Sequence, residues 1–246
     1  PYHGWTAMIE YRWAGATDVG RSRADNQDAV LPEGTGRGSS GLVAVADGLG
    51  GHPGGDIASR CAIDALVDTD PATSATELVK MAHQAIFERI VTEMDTRREL
   101  IQMATTLTLA VLRPDGAEIG HVGDSRAYLL RGGALIQVTE DHTHGMDRVV
   151  AGEITLDEAR RSPEWHVLSN YLGFESFRVA THRVPMGVGD RLMLCTDGLT
   201  NMVPDAAITD LLAAGDPESA VAALIDAAND AGGADNISVV VVEAQG

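Results

Sequence analysis

The stretch VAVADGLGGHPGGDIAS, Val43 to Ser59, runs an apolar segment into an aspartate, packs five glycines into the next eight residues and then opens a helical pattern. Val43 to Ala46 is a short apolar run of the kind that fills a sheet core. Asp47 ends it. One turn needs one or two glycines, and repeated glycine lets backbone approach another group closely. The helix that follows presents free amide groups at its N-terminus, which favour anions.

The Asp-Gly dipeptide recurs at Asp115 and Asp197. Asp115 lies in Arg113-Pro114-Asp115-Gly116 between two strand patterns, where Pro and Asp-Gly supply the angles of a tight turn. A structural role explains it fully. Asp197 instead follows the apolar run Arg191 to Thr196, as Asp47 follows Leu42 to Ala46, and Asp235 precedes the run Ile237 to Val242. Three carboxylates at strand ends converge if their strands are neighbours. Oxygen-only donors suit Mg²⁺ or Mn²⁺, whereas Zn²⁺ recruits His or Cys, and none of the eight histidines has a ligand-like spacing. A nucleotide-binding reading of Gly48-x-Gly50 competes, but Pro53 stands at the third glycine position and no GxxxxGK[ST] loop exists.

Around this stretch, strand patterns cover residues 105–112, 117–122, 126–130, 135–138, 177–184, 191–194 and 237–242, with hairpin signals at Pro114-Asp115-Gly116 and Arg131-Gly132-Gly133. Helical periodicity covers residues 54–67, 75–94, 204–213 and 217–228. Strands in meanders with helices in pairs predict an antiparallel α+β layered domain; regular βαβ alternation is missing. The segment Gly34 to Gly41, GTGRGSSG, reads as a short connection between two strands, and no linker divides the 246 residues. One domain is expected, with a flap or insertion at about residues 143–176 that includes a short helix after Thr155.

The chain has 18 basic and 36 acidic residues, a net charge of −18, which argues against general binding to nucleic acid or to an anionic membrane. It has no apolar run of about 18 residues, so a cytoplasmic location is expected, although a longer parent protein could be membrane-anchored. Cys61 and Cys195 lack the arginine six residues on that a Cys-x5-Arg phosphatase loop requires, and are expected as buried free thiols.

These pieces together resemble the bacterial type of the metal-dependent PP2C (PPM) serine/threonine phosphatases. The resemblance rests on Arg21 to Ala29 (RSRADNQDA), Val45 to His52, Thr105-Thr106-Leu107, His121 to Leu129 (HVGDSRAYL), Thr139-Glu140-Asp141-His142, Leu194 to Leu199 and Gly233 to Asn236, seven motifs in order from about Thr17 to Val242. It implies a four-layer αββα sandwich, two antiparallel sheets flanked by helix pairs, with two Mn²⁺ or Mg²⁺ ions at one edge. By motif position Asp47 would bridge both ions, the Gly48 carbonyl would bind one, and Asp197 and Asp235 would complete the other. Asp28 would act through metal-bound water and Arg23 would clamp the substrate phosphate. Asp141 would hold a third, weaker ion. The implied reaction is hydrolysis of phosphoserine and phosphothreonine by direct attack of a metal-bridging water or hydroxide, opposing a serine/threonine kinase; a monomer is expected.

This chain departs from the family at four places. Leu49 stands where animal members have a candidate general acid, which leaves His52 as a weak substitute. Asn201 replaces the usual carboxylate partner of the third ion, Gln27 replaces a Glu, and Ala104 replaces a Gly. The alternative reading keeps the fold without catalysis, as an interaction module. A further one is a two-metal hydrolase of another ester.

Overall fold

The structure is a computed structural model and describes residues 9–49 and 54–246. Its strands are β1 (Glu10–Asp18), β2 (Asp28–Leu31), β3 (Gly34–Gly38), β4 (Gly41–Asp47), β5 (Leu107–Arg113), β6 (Gly116–Val122), β7 (Arg126–Arg131), β8 (Ala134–Gln137), β9 (Ala180–Pro185), β10 (Arg191–Cys195) and β11 (Ile237–Gln245). The helices are α1 (Gly55–Asp64), α2 (Ala75–Glu93), α3 (His144–Val150), α4 (Leu156–Ala159), α5 (Asp197–Thr200), α6 (Asp205–Ala213) and α7 (Pro217–Asp230). A six-stranded sheet has the order β3-β1-β11-β10-β7-β8 and a five-stranded sheet the order β2-β4-β5-β6-β9. Every pairing within them is antiparallel.

Side-chain alternation along the strands builds three apolar layers. In β4, Val43 and Val45 face the opposite sheet while Ala44 and Ala46 face α1 and α2. In β11, Val240 and Val242 enter the space between the sheets, and Val239 and Val241 pack under α6 and α7 with Leu212 and Leu224. A strand covered on both faces carries apolar residues at successive positions. That is why these strands read as continuous apolar runs, and why the helices lie outside both sheets.

The helix starts are written locally. Ser74 and Glu77 close a capping box at α2, Thr155 and Glu158 do the same at α4, and Asp216 caps α7 ahead of Pro217. Among the described residues no helix is long and apolar enough to cross a membrane.

Three findings correct the sequence reading. The glycine-rich segment from Gly34 is strand β3, paired with β1. Its glycines make room for an indole: a Cβ on Gly36 would lie 2.4 Å from Trp13 Nε1. Cys61 is half-buried, whereas Cys195 is buried as expected. Residues 177–179 of the predicted strand precede β9, which begins at Ala180.

Candidate metal centre

Antiparallel pairing brings the strand ends together. Asp47 closes β4 and pairs directly with Asp28, the first residue of β2. In the other sheet β10 and β11 are neighbours, so Asp197, just after β10, and Asp235, just before β11, meet at one end. Asp28 ties the two sheets together there: its Oδ2 accepts from Thr196 Oγ1 at 2.9 Å and from Ser238 Oγ at 2.6 Å. Its Oδ1 is buried without a partner among the described residues.

The backbone around Asp47 is held at both ends. Its N–H donates to Thr106 Oγ1 (3.0 Å), and its carbonyl accepts from Thr106 N–H (2.9 Å) and Thr105 Oγ1 (2.8 Å). The Thr-Thr pair therefore fixes where the carboxylate points. The glycine after each aspartate is required by close backbone approach: a Cβ on Gly48 would lie 2.2 Å from the Gly55 carbonyl oxygen, and one on Gly198 would lie 1.9 Å from that of Asn236. Asn236 also anchors the arginine loop. Its Oδ1 accepts from Gln27 N–H (2.9 Å), and its Nδ2 donates to the carbonyls of Val19 (2.9 Å) and Asp25 (3.0 Å).

A cleft of about 350 Å³ is lined by Asp47, Asp124, Asp197 and Asp235, by Leu49 and Thr106, and by His166, Val167, Leu168 and Tyr171 from the segment after α4. Burial and then neighbouring carboxylates hold the Asp47 and Asp124 carboxyls well above the usual range, with Asp28 first among the neighbours of Asp47 and Asp197 first among those of Asp124. Asp197 is raised by burial and by Asp235, against the opposing influence of His166 and of hydrogen bonds from Asn201 and Asp47. Asp28 is pushed up to about 7, by burial first.

The residues present fit divalent cations. The donor set facing the cleft is oxygen-rich, a buried carboxylate oxygen of Asp28 lacks a partner among the described residues, and carboxyls are crowded where a proton or a bound cation relieves their repulsion. The side chains do not close into a coordination shell as they stand: among the described residues no three His, Cys, Asp or Glu form a group able to hold an ion.

The remaining predicted residues fall in different places. Arg23, 42% exposed, donates from Nη2 to Asp235 Oδ2 at 2.8 Å. Asp141 does not line the cleft; it is buried against Arg126, with Nε to Oδ1 at 2.8 Å and Nη2 to Oδ2 at 2.6 Å, and Gln137 Nε2 donates to the same carboxylate. A carboxylate so matched to a guanidinium is satisfied without a metal, so the structure does not bring Asp141 to the place where a third ion was expected. Asn201 likewise turns to Asp197, donating to Oδ2 at 3.0 Å. His52 lies outside the described residues.

Asp124 is the site residue that sequence reasoning missed. It sits in the β6–β7 connection, which crosses from one sheet to the other. Its signal was present in Gly123-Asp124-Ser125, which reads as a turn. The connection is braced from below: His142 N–H donates to the Gly123 carbonyl (2.8 Å), Gly123 N–H donates to His142 Nδ1 (3.0 Å), and the buried His121 ring stacks on His142 with centroids 4.6 Å apart.

The protein phosphatase 2C family model matches residues 19–232. The chain belongs to the protein phosphatase 2C family. It is 38% identical over 238 residues to the serine/threonine phosphatase stp of Listeria welshimeri, covering 92% of this chain and 93% of that protein. The crystal structure of the Mycobacterium tuberculosis serine/threonine phosphatase PstP/Ppp superimposes with a TM-score of 0.85 at 33% identity, covering 96% of this chain and all of that one. The catalytic domain of PstP in complex with two manganese ions gives 0.83 at 32% identity, over 97% of this chain. The two-sheet architecture is thus that of the protein phosphatase 2C fold.

Proposed function

We propose that this chain is a metal-dependent protein phosphatase that hydrolyses phosphoserine and phosphothreonine, using two Mn²⁺ or Mg²⁺ ions. The observation that carries this reading is one cleft lined by Asp47, Asp124, Asp197 and Asp235, with Asp28 behind them. Its relatives named serine/threonine phosphatases and the PstP domain with two manganese ions support it.

The cations, when bound, supply an acidified water and offset charge on the phosphoryl group. Asp47, Asp197 and Asp235 would hold them, with the Gly48 carbonyl as a further oxygen donor and Asp124 available for another ion. Asp28, which pairs with Asp47 across the ladder, would act through metal-bound water, while Thr196 and Ser238 keep its Oδ2 fixed. Arg23 is a permanent cation at the rim, suited to a phosphate by its planar fork of donors. No cysteine or serine nucleophile is needed.

Phosphoproteins made by a serine/threonine kinase are the substrates in this reading. The chain acts as a monomer in the cytoplasm, and residues 143–176 form a flap that shapes access. An interaction module without catalysis has less support, because carboxylates crowded in one cleft cost stability and have no use without a cation. The test is phosphate release from phosphoserine and phosphothreonine peptides. Activity lost in EDTA and restored by Mn²⁺ supports the reading; unchanged activity of Asp197→Ala and Asp235→Ala overturns the metal assignment.

A further inference from the structure

A second hollow adjoins the carboxylate cleft. It encloses about 490 Å³, and its walls include Leu49, Phe87, Ile101, Tyr171 and Phe174. Leu49 and Tyr171 also wall the carboxylate cleft, so the two spaces share a partition. The first wall is rich in carboxylates, whereas the second is predominantly aliphatic and aromatic, with Gln102 and Glu175 as its polar members. Ile101 and Phe174 are 47% and 55% exposed, two large apolar side chains lining one hollow and left open to water. Single exposed apolar residues are ordinary, but several around a concavity next to a reactive site mark a place where a ligand buries its own apolar surface.

The geometry points to a specificity subsite: the hollow beyond Leu49 and Tyr171 takes one large apolar side chain of the phosphoprotein segment whose phosphorylated residue occupies the carboxylate cleft. This rests on the phosphatase reading above. The occupant follows from continuity. A substrate held by its phosphate runs over the rim of that cleft, and an extended chain advances only about 3.3 Å per residue. A side chain within a few positions of the phosphorylated residue therefore meets the hollow once the chain crosses the Leu49–Tyr171 partition. The volume lies within the range of small-ligand pockets, roughly 300 to 1,000 Å³, and leaves ample room for one large side chain. An acidic residue there meets the Glu175 carboxylate as well as the apolar Phe87, Ile101 and Phe174, so the hollow discriminates as well as binds.

The experiment is a matched series of phosphothreonine peptides in which leucine or phenylalanine is walked through the three positions on each side of the phosphorylated residue and compared with serine at the same position. The substrate para-nitrophenyl phosphate, which has no flanking chain, is assayed alongside. The expected result is a preference of about tenfold or more in kcat/KM, carried mainly by KM, for the apolar residue at one position. That ratio falls to threefold or less in Phe174→Ala and in Ile101→Ala. Because the ratio is taken within each protein, loss of folded enzyme in a variant cancels. Metal-dependent hydrolysis of the peptides with no apolar preference, or with a preference that both variants keep, overturns the subsite and leaves the phosphatase reading standing. Absence of metal-dependent hydrolysis of every peptide and of para-nitrophenyl phosphate overturns both.

Discussion

Asp28 and Asp47 face each other directly across the β2–β4 ladder. Like charges directly opposite in an antiparallel pair destabilise it, and here Asp28 is buried, with one oxygen lacking a partner among the described residues. The arrangement is favourable with a cation near it and costly without one. Thermal unfolding should therefore respond to Mn²⁺. At a concentration a hundred times the dissociation constant, binding contributes about 2.7 kcal/mol, which for a domain of this size raises Tm by roughly 5 to 10 °C. Asp47→Asn should melt at or above the parent's temperature in EDTA and gain little from Mn²⁺.

Arg23 and Asp235 give a two-sided prediction. The pair is more than a third exposed on both sides, so its own contribution to stability is at most about 1 kcal/mol. Removing the cation should tighten metal binding while weakening phosphate binding. For Arg23→Ala we expect the Mn²⁺ concentration for half-maximal activity to fall by up to about fivefold and KM for a phosphopeptide to rise about tenfold or more. Metal titration at fixed substrate, then substrate titration at saturating metal, separates the two.

Asp124 and Asp141 should behave as opposites. Asp141 is buried with Arg126, and removing one partner of such a pair costs about 3 kcal/mol or more. Urea unfolding of Asp141→Ala should show that loss. Asp124→Asn removes a carboxylate whose pKa is raised by burial and by Asp197, so it should keep or improve stability in EDTA and lower the Mn²⁺-dependent rate.

The contrast between those two residues shows what a linear reading can reach. Asp47, Asp197 and Asp235 were legible because each borders an apolar run, and the turn at Asp115 supplied a control within the same chain. Asp141 turns instead to Arg126, fifteen residues earlier on β7, and no local pattern announces a salt bridge across that separation. Asp124 resembles a turn residue, and only the crossing from β6 to β7 places it on the cleft wall. Strand β3 was missed for a similar reason. Its glycines look like loop until Trp13 is laid over Gly36. The outer helices and most central strands could be read from periodicity and capping alone, since both are local.

His121 supplies a pH prediction away from the carboxylates. Its Nε2 donates to the Glu140 carbonyl at 3.0 Å and its Nδ1 faces Thr108 Oγ1 at 2.9 Å. Burial first, and His142 next, depress its pKa from 6.5 to about 3. The folded state therefore binds fewer protons than the unfolded state between those values, and stability from this group rises with pH. It is fully present above about pH 6.5 and lost toward pH 3. The stability difference between the parent and His121→Gln should be largest near pH 7 to 8, on the order of a few kcal/mol, and shrink as pH falls. Denaturant unfolding of both proteins across that range checks it, and a difference independent of pH would contradict the buried neutral ring.

We propose that the carboxylates at the sheet edge hold divalent cations. Calorimetric titration of metal-free protein with Mn²⁺, parent against Asp47→Asn, is the decisive measurement. The parent should bind at least two ions per chain, and Asp47→Asn should lose that binding while staying folded. Equal stoichiometry and affinity in the two proteins, or no binding by the parent, would contradict it.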